Sequence, residues 1–330
     1  MKKLITVILV IAIFIFYDQD IVNQLINLDT VDKTKQEQSV VQDEHVNQQT
    51  DTSIDNFYNL QIGDSEKTLI NAIGDPARVD KSEYDFNWYV YNQFEAKFCM
   101  VGVENEKIVA LYSNSIDSKE IKNIKINGNK NLIREVYTPL KRIKKGNTNY
   151  VINSKEQYDI VEIGDKYVTV FYDIYEGNRI TSYEVVTKQV EDKIALFPKE
   201  SGELRKSYEL EIIDMVNSVR QQRNLKSLDY SQKATISSRK HCKDMKVNKF
   251  FDHINKKGKG PGDRMKAEGI IFTLAGENIA AGQFNSIYAH EAWMNSEGHR
   301  KNILGEYKYI GVGVEFGGSY NMYYGQNFYK

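Results

Sequence analysis

Three observations predict an α+β fold for this sequence. Between Phe57 and about Lys193, short helical stretches twice precede runs rich in β-branched and aromatic residues. After Ser201, apolar residues recur at helical spacing over several segments. From Ile310 onward the pattern switches to strict alternation about a Gly-Gly turn.

Met1-Lys2-Lys3 precedes an unbroken apolar run, Leu4 to Phe16. Lysines before such a run hold the N-terminus in the cytoplasm, so the body of the chain is expected to be exported. The run is short for a bilayer span and suits the apolar core of a signal peptide. However, Tyr17, Asp18, Gln19 and Asp20 follow, without a small-x-small cleavage site or a cysteine for a lipid. Residues 1–20 are therefore read as a signal peptide or a retained signal-anchor, the missing cleavage site favouring the anchor. Residues 21–55 are mostly Gln, Asp, Asn, Thr and Lys without an aromatic, too polar to offset the entropy of ordering. They read as a flexible tether, and His45 within them is expected to do no chemistry.

Residues 56–196 form the next predicted unit. Asp64 or Ser65 can cap a helix running to Ile73, which Gly74-Asp75-Pro76 stops. Strand-like runs follow at Trp88–Gln93, Lys97–Glu104 and Ile108–Ser113, the last two joined by a polar turn at Asn105–Lys107. The order then repeats: Ile126-Asn127-Gly128, a helix around Asn131–Tyr137, Pro139, and strands at Tyr158–Ile163, Tyr167–Tyr172 and Ile180–Val186. Leu69-Ile70 and Leu132-Ile133 occupy matching places, which predicts a duplicated α+β domain. Trp88 and the tyrosines are expected in its core. Pro198 to Gly202 marks the boundary with the unit at 203–330.

That last unit opens with a helix carrying Tyr208, Ile212, Ile213, Val216 and Val219 on one face, with Ser207 as candidate cap. A second helix, about Gln232 to Val247, places Ala234, Ser238, His241 and Met245 together, and His241 is expected to be a packed core residue. Shorter helices are predicted at Pro261–Glu268, Ser286–Asn295 and from a cap at Ser296 to Leu304. An antiparallel hairpin closes the chain, with Ile310, Val312, Val314 and Phe316 on one face of its first strand.

Composition sets outer bounds. With 41% hydrophobic and 27% charged residues in 330, the chain is ordinary globular protein. Its net charge of −1 divides unevenly: 20 basic and 14 acidic residues from Ser201 onward give +6, and the remaining 24 and 31 give −7. A modestly basic C-terminal unit suits an anionic surface such as cell wall or lipid headgroups, and no stacking platform accompanies it for nucleic acid. Cys99 and Cys242, the two cysteines, fall in different units and are read as partly buried free thiols.

Chemistry concentrates between Phe250 and Arg300. His253 stands in Phe250-Phe251-Asp252-His253, Glu277 in Gly276-Glu277-Asn278-Ile279-Ala280, and His299 in Ser296-Glu297-Gly298-His299-Arg300. A carboxylate among Ala and Ile must be paired to be buried, and imidazole beside carboxylate can hold a metal or move a proton near neutral pH. Arg300 is expected to pair with a carboxylate or the opposing loop.

These motifs in this order, with YIGVGVEF and the closing YGQNFY, resemble the CAP superfamily (cysteine-rich secretory proteins, antigen 5, pathogenesis-related 1) in its cysteine-poor bacterial form, from Ser207 onward. IGDSEKTLINAIGDPARVDKSEYDFNWYVYN resembles the domain that precedes CAP domains in some Gram-positive surface proteins. The resemblance implies an α-β-α sandwich and a cleft floored by two histidines and two acidic residues. His253, Glu277 and His299 match three of these positions. The fourth departs: after Trp293 come Asn295 and Ser296, with Glu297 one place later and Glu291 before the tryptophan.

By that resemblance His253 and His299 are candidate metal ligands, for Zn²⁺ in particular, with Glu277 as a third ligand or general base. A hydrogen-bonding network without metal, and direct acid/base chemistry, remain open alternatives. The leading functional expectation is an extracytoplasmic surface binding or regulatory module rather than a turnover enzyme. Its partner would be a cell-envelope component, lipid or protein, with the N-terminal segment as membrane anchor. The alternative is a metal-dependent hydrolase or peptidase at the cell envelope.

Overall fold

The computed structural model describes residues 59–330 apart from 94–96, 117, 119 and 122, and these described residues belong to one compact unit. The apolar run Leu4–Phe16 and the polar stretch with His45 lie outside the described residues. Among the described residues no helix is long and apolar enough to cross a membrane.

Helix α1 (Glu66–Ile73) starts at Ser65, whose hydroxyl accepts the Thr68 amide, and ends at Gly74 with φ of 80°. Strands β1 (Arg78–Lys81), β2 (Asn87–Tyr91), β3 (Cys99–Glu104) and β4 (Lys107–Ser113) follow. The second half runs through α2 (Lys130–Val136), β5 (Arg142–Lys145), β6 (Thr148–Val151), β7 (Tyr158–Ile163), β8 (Lys166–Asp173), β9 (Arg179–Thr187) and the short α3 (Lys188–Glu191). Seven of these strands form one antiparallel sheet in the order β1-β2-β3-β4-β9-β8-β7, while β5 and β6 pair only with each other.

Each half thus supplies one helix and a three-strand meander, and the meanders meet at β4–β9. The halves differ in their additions, since β1 extends the sheet and β5–β6 stands apart. The expected match of Leu69 to Leu132 needs correction. Leu69 is fully buried, whereas Leu132 is half exposed and Ile133 takes the buried place. Helix phase is counted from the cap: Asn129 caps α2 as Ser65 caps α1, so Leu69 and Ile133 occupy the same turn position.

The C-terminal half comprises α4 (Gly202–Gln221), β10 (Asp229–Tyr230), α5 (Gln232–Asn248), α6 (Pro261–Ala267), β11 (Ala275–Ala281), α7 (Ser286–Met294), α8 (Glu297–Ile303), β12 (Tyr309–Phe316) and β13 (Met322–Tyr329). Its four-stranded sheet runs β10-β12-β13-β11. Ile310, Val312, Val314 and Phe316 face α4 and α7, joining Tyr208, Ile212, Ile287 and Trp293 in one core. The opposite face carries Gly311 and Gly313, where a Cβ would lie 2.2 Å from backbone nitrogens of α5, so α5 packs directly on the sheet. The result is an α-β-α sandwich. The helix α4 is longer than expected: Ser201, not Ser207, caps it, and Ser207 is buried within it, accepting the Lys81 amide at 2.9 Å.

The two halves share a core. Phe86, Trp88, Met100 and Tyr112, on one face of the seven-stranded sheet, pack into the same cluster as α4 and α7. The other face closes over Leu69 and Ile133 from α1 and α2. Cys99 and Cys242 are both buried free thiols.

Candidate functional site

Three elements converge on Glu277. Its strand β11 pairs antiparallel with β13, setting Glu277 opposite Asn327 and leaving its side chain 2% exposed. Helix α5 ends at Lys249, in the left-handed region at φ 52°. Phe250 then packs against His241 and turns the chain toward His253. The Asp252 carboxylate accepts the Ile254 amide at 2.8 Å, holding that turn. His253 Nδ1 lies 2.8 Å from Glu277 Oε1, its side chain 46% exposed.

The third element is α6, and it brings a residue that sequence reasoning did not single out. Arg264 donates from Nη2 to Glu277 Oε2 at 2.5 Å, and from Nη1 to the carbonyls of His253 and Lys259 at 2.7 and 2.8 Å. One guanidinium therefore fixes the carboxylate and the loop that carries the imidazole. The only signal in the sequence was indirect: a buried carboxylate demands a cation, and Arg264 is nearby in the chain.

His299 sits in the first turn of α8, with Ile303 fully buried beneath it. An amide network ties α8 to β11. Asn278 Nδ2 donates to the His299 carbonyl at 3.0 Å, and Asn302 Nδ2 donates to Asn278 Oδ1 at 2.8 Å and to the Glu277 carbonyl at 3.1 Å. Burial chiefly, and the neighbouring His253 imidazole to a lesser degree, lower the His299 imidazole to about 4, so it is neutral at pH 7. The structure thus brings His253, Glu277 and His299 together. Behind them His241 is buried as expected, its Nε2 within 2.9 Å of the Asp252 carbonyl and its pKa lowered chiefly by burial.

Neither glutamate near Trp293 joins this group through its own bonds. Glu297 is surface-exposed and pairs with Lys301. Glu291 turns toward the N-terminal half, where Ser182 and Thr181 hydroxyls donate to it at 2.6 and 3.2 Å, and burial pushes it up to about 7. Asn295 also serves that interface, accepting the Ile174 amide at 3.0 Å and donating to the Tyr172 carbonyl at 2.8 Å. Arg300 continues it, with Asp173 at 2.7 Å and Glu176 as partners. The β8–β9 turn of the N-terminal half thereby clamps the α7–α8 corner that carries His299.

Among the described residues no group of three or more His, Cys, Asp or Glu side chains is arranged to hold a metal ion. Both Glu277 oxygens are engaged, one by His253 and one by Arg264, which does not suit a third ligand. Through the Nδ1 contact Glu277 fixes the orientation of the His253 ring, the part a carboxylate plays behind an imidazole.

A two-sided sandwich with paired histidines around a buried glutamate, fused to a sheet domain through a shared core, defines the class. The chain belongs to the cysteine-rich secretory protein (CAP) family. The family model matches residues 213–328, and the CAP-associated N-terminal model matches 62–197. A relative from Bacillus subtilis, described as the uncharacterised membrane protein YlbC, is 31% identical over 289 residues, covering 82% of each chain. A crystal structure of an extracellular SCP-domain protein from Bacillus anthracis superposes with a TM-score of 0.71 at 26% identity, covering 90% of this chain and all of that one. A cysteine-rich secretory protein of Staphylococcus aureus shares the fold, with a TM-score of 0.65 at 17% identity over 81% of this chain and 91% of its own.

Proposed function

We propose that the protein is an extracytoplasmic binding or regulatory module of the cell envelope whose ligand engages His253 and His299. One observation carries this reading: Glu277 meets His253 on one oxygen and Arg264 on the other, which makes it the orienting partner of the His253 ring. That weighs against Glu277 itself as the general base of the hydrolase reading. The half-exposed His253 ring turns its Nδ1 to Glu277, and the nearby His299 imidazole is neutral. A divalent ion such as Zn²⁺ fits as part of the bound state, held by the two imidazoles, where it would supply a Lewis-acidic point for an anionic or carbonyl group of the ligand. The exported location is supported by the lysines and apolar run at the N-terminus and by two relatives, one described as a membrane protein and one as extracellular.

The test is zinc-dependent stabilisation of wild type and His299→Ala. Zinc at about 100 times its dissociation constant should stabilise wild type by about 2.7 kcal/mol. The variant should lose that increment while its metal-free melting temperature changes little. An equal zinc response in both proteins, or none in wild type, refutes the imidazole pair as a metal site.

A further inference from the structure

The rim of this site presents apolar side chains held out into solvent among lysines. Ile271 is 95% exposed, and Ile254 and Leu274 are 51% and 40% exposed. The loop carrying Ile271 is not free to fold it away. Ile270 is buried against Ala234 and Met265, and Lys233 Nζ donates to the Gly269 carbonyl at 3.1 Å. On the other side the Thr273 amide donates to the Lys330 carbonyl at 2.8 Å and the Lys330 amide to the Leu274 carbonyl at 3.0 Å. Ile271 is thus pinned outward from both ends.

Ile254 and Phe272, the neighbour of Ile271, both lie against the start of α6. Ile254 Cδ1 lies 3.3 Å from the position a Cβ would take on Gly260, and the Phe272 ring lies 3.2 Å from that on Gly262. Lysines surround them. Lys266 Nζ stands 5.5 Å from the Phe272 ring centre, and Lys257 and Lys259 project from the loop after Ile254. The carboxylates close by are already engaged: Asp252 with the Ile254 amide, Asp263 with the Gly260 amide, Glu268 with Lys240. An outward isoleucine where Lys256, Lys257, Lys259 and Lys266 outnumber Asp252 and Asp263 matches one kind of surface, hydrocarbon beneath a layer of negative charge.

We infer that the Ile254–Leu274 rim is a docking surface for an anionic lipid bilayer, with Ile271 entering the acyl boundary and Lys257, Lys259 and Lys266 meeting phosphate headgroups. A purely anionic wall polymer would use the lysines but offer Ile271 nothing. Docking would set the adjacent His253 and Glu277 against the membrane surface. The inference goes beyond the metal reading, and its test involves no metal, so either can fail alone.

Residues 52–330, which contain all four core clusters, should be mixed with vesicles of phosphatidylglycerol or of phosphatidylcholine and floated. Wild type is expected to float with the anionic vesicles and to remain behind with the zwitterionic ones. Ile271→Asp, at a position too exposed to disturb the fold, should cut flotation severalfold. Lys257→Gln with Lys259→Gln should cut it about tenfold or more, since each lysine near such a surface contributes about a factor of five. With Cys99 and Cys242 buried, Ile271→Cys can carry a single environment-sensitive dye, which should shift to the blue on anionic vesicles. No flotation with anionic vesicles, flotation unchanged by Ile271→Asp, or an unshifted dye would each overturn the proposal.

Discussion

Glu291→Gln is expected to stabilise the protein above neutral pH and leave it almost unchanged at pH 4. Glu291 is buried between α7 and the seven-stranded sheet, accepting the hydroxyls of Ser182 and Thr181. Burial raises its pKa to about 7 against those two bonds, and Asp173 adds to the rise. In the unfolded chain the same group titrates near 4.5. Between these values the folded protein holds a proton that the unfolded chain has released, so rising pH favours unfolding across that window. The difference of about 2.5 units corresponds to ~3 kcal/mol at pH 8, as an order of magnitude, from 1.36 kcal/mol per unit. Glutamine keeps an acceptor for one hydroxyl and offers a donor to the other, so it removes the charge at little cost in bonding. Urea midpoints of both proteins from pH 4 to 8 give the comparison. Glu184 and Glu211, buried with raised pKa values, tilt both curves alike, so the difference between them isolates Glu291. The curves should diverge between about pH 4.5 and 7. Parallel curves, or a glutamine variant less stable at pH 8, would refute the reasoning.

Arg264→Met should leave the Glu277 charge almost fully buried with one partner, costing about 3–5 kcal/mol in urea unfolding. The double variant with Glu277→Gln should recover much of that loss, because no charge then remains. At the interdomain clamp Asp173 is 1% exposed and faces Arg300 at 2.7 Å, with Arg179 and Arg223 at 3.9 Å. Asp173→Asn should leave those guanidinium groups under-neutralised, costing on the order of 3 kcal/mol. It should also lower hydrogen-exchange protection in α8 before α5; equal loss in both helices would mean that the clamp is not local.

Much of the secondary structure was legible because its signals are local. A polar cap and a glycine stop located α1, and helical spacing or a short motif of neighbouring residues located α2, α5, α6 and α7. The closing hairpin declared itself by alternation around Gly317-Gly318. Short polar strands carried no such pattern, and β1, β5 and β6 went unseen. For α4 two serines could serve as cap, and only packing chose between them: Ser207 was wanted at the Lys81 amide.

The sequence by itself determined the family motifs, the helix that carries His299, and that a carboxylate among Ala and Ile would need partners. It also brought His253, Glu277 and His299 forward as the residues to examine. Only the tertiary structure decided which partners Glu277 would have, because Arg264 and His253 reach it from separate elements whose approach depends on how α5 and α6 pack against the sheet. It likewise sent Glu291, Asn295 and Arg300 to the N-terminal half, across separations of 110 to 127 residues. Caps and periodicity are written in neighbouring residues. The pairing of a buried charge is settled by whichever surfaces the shared core brings into contact.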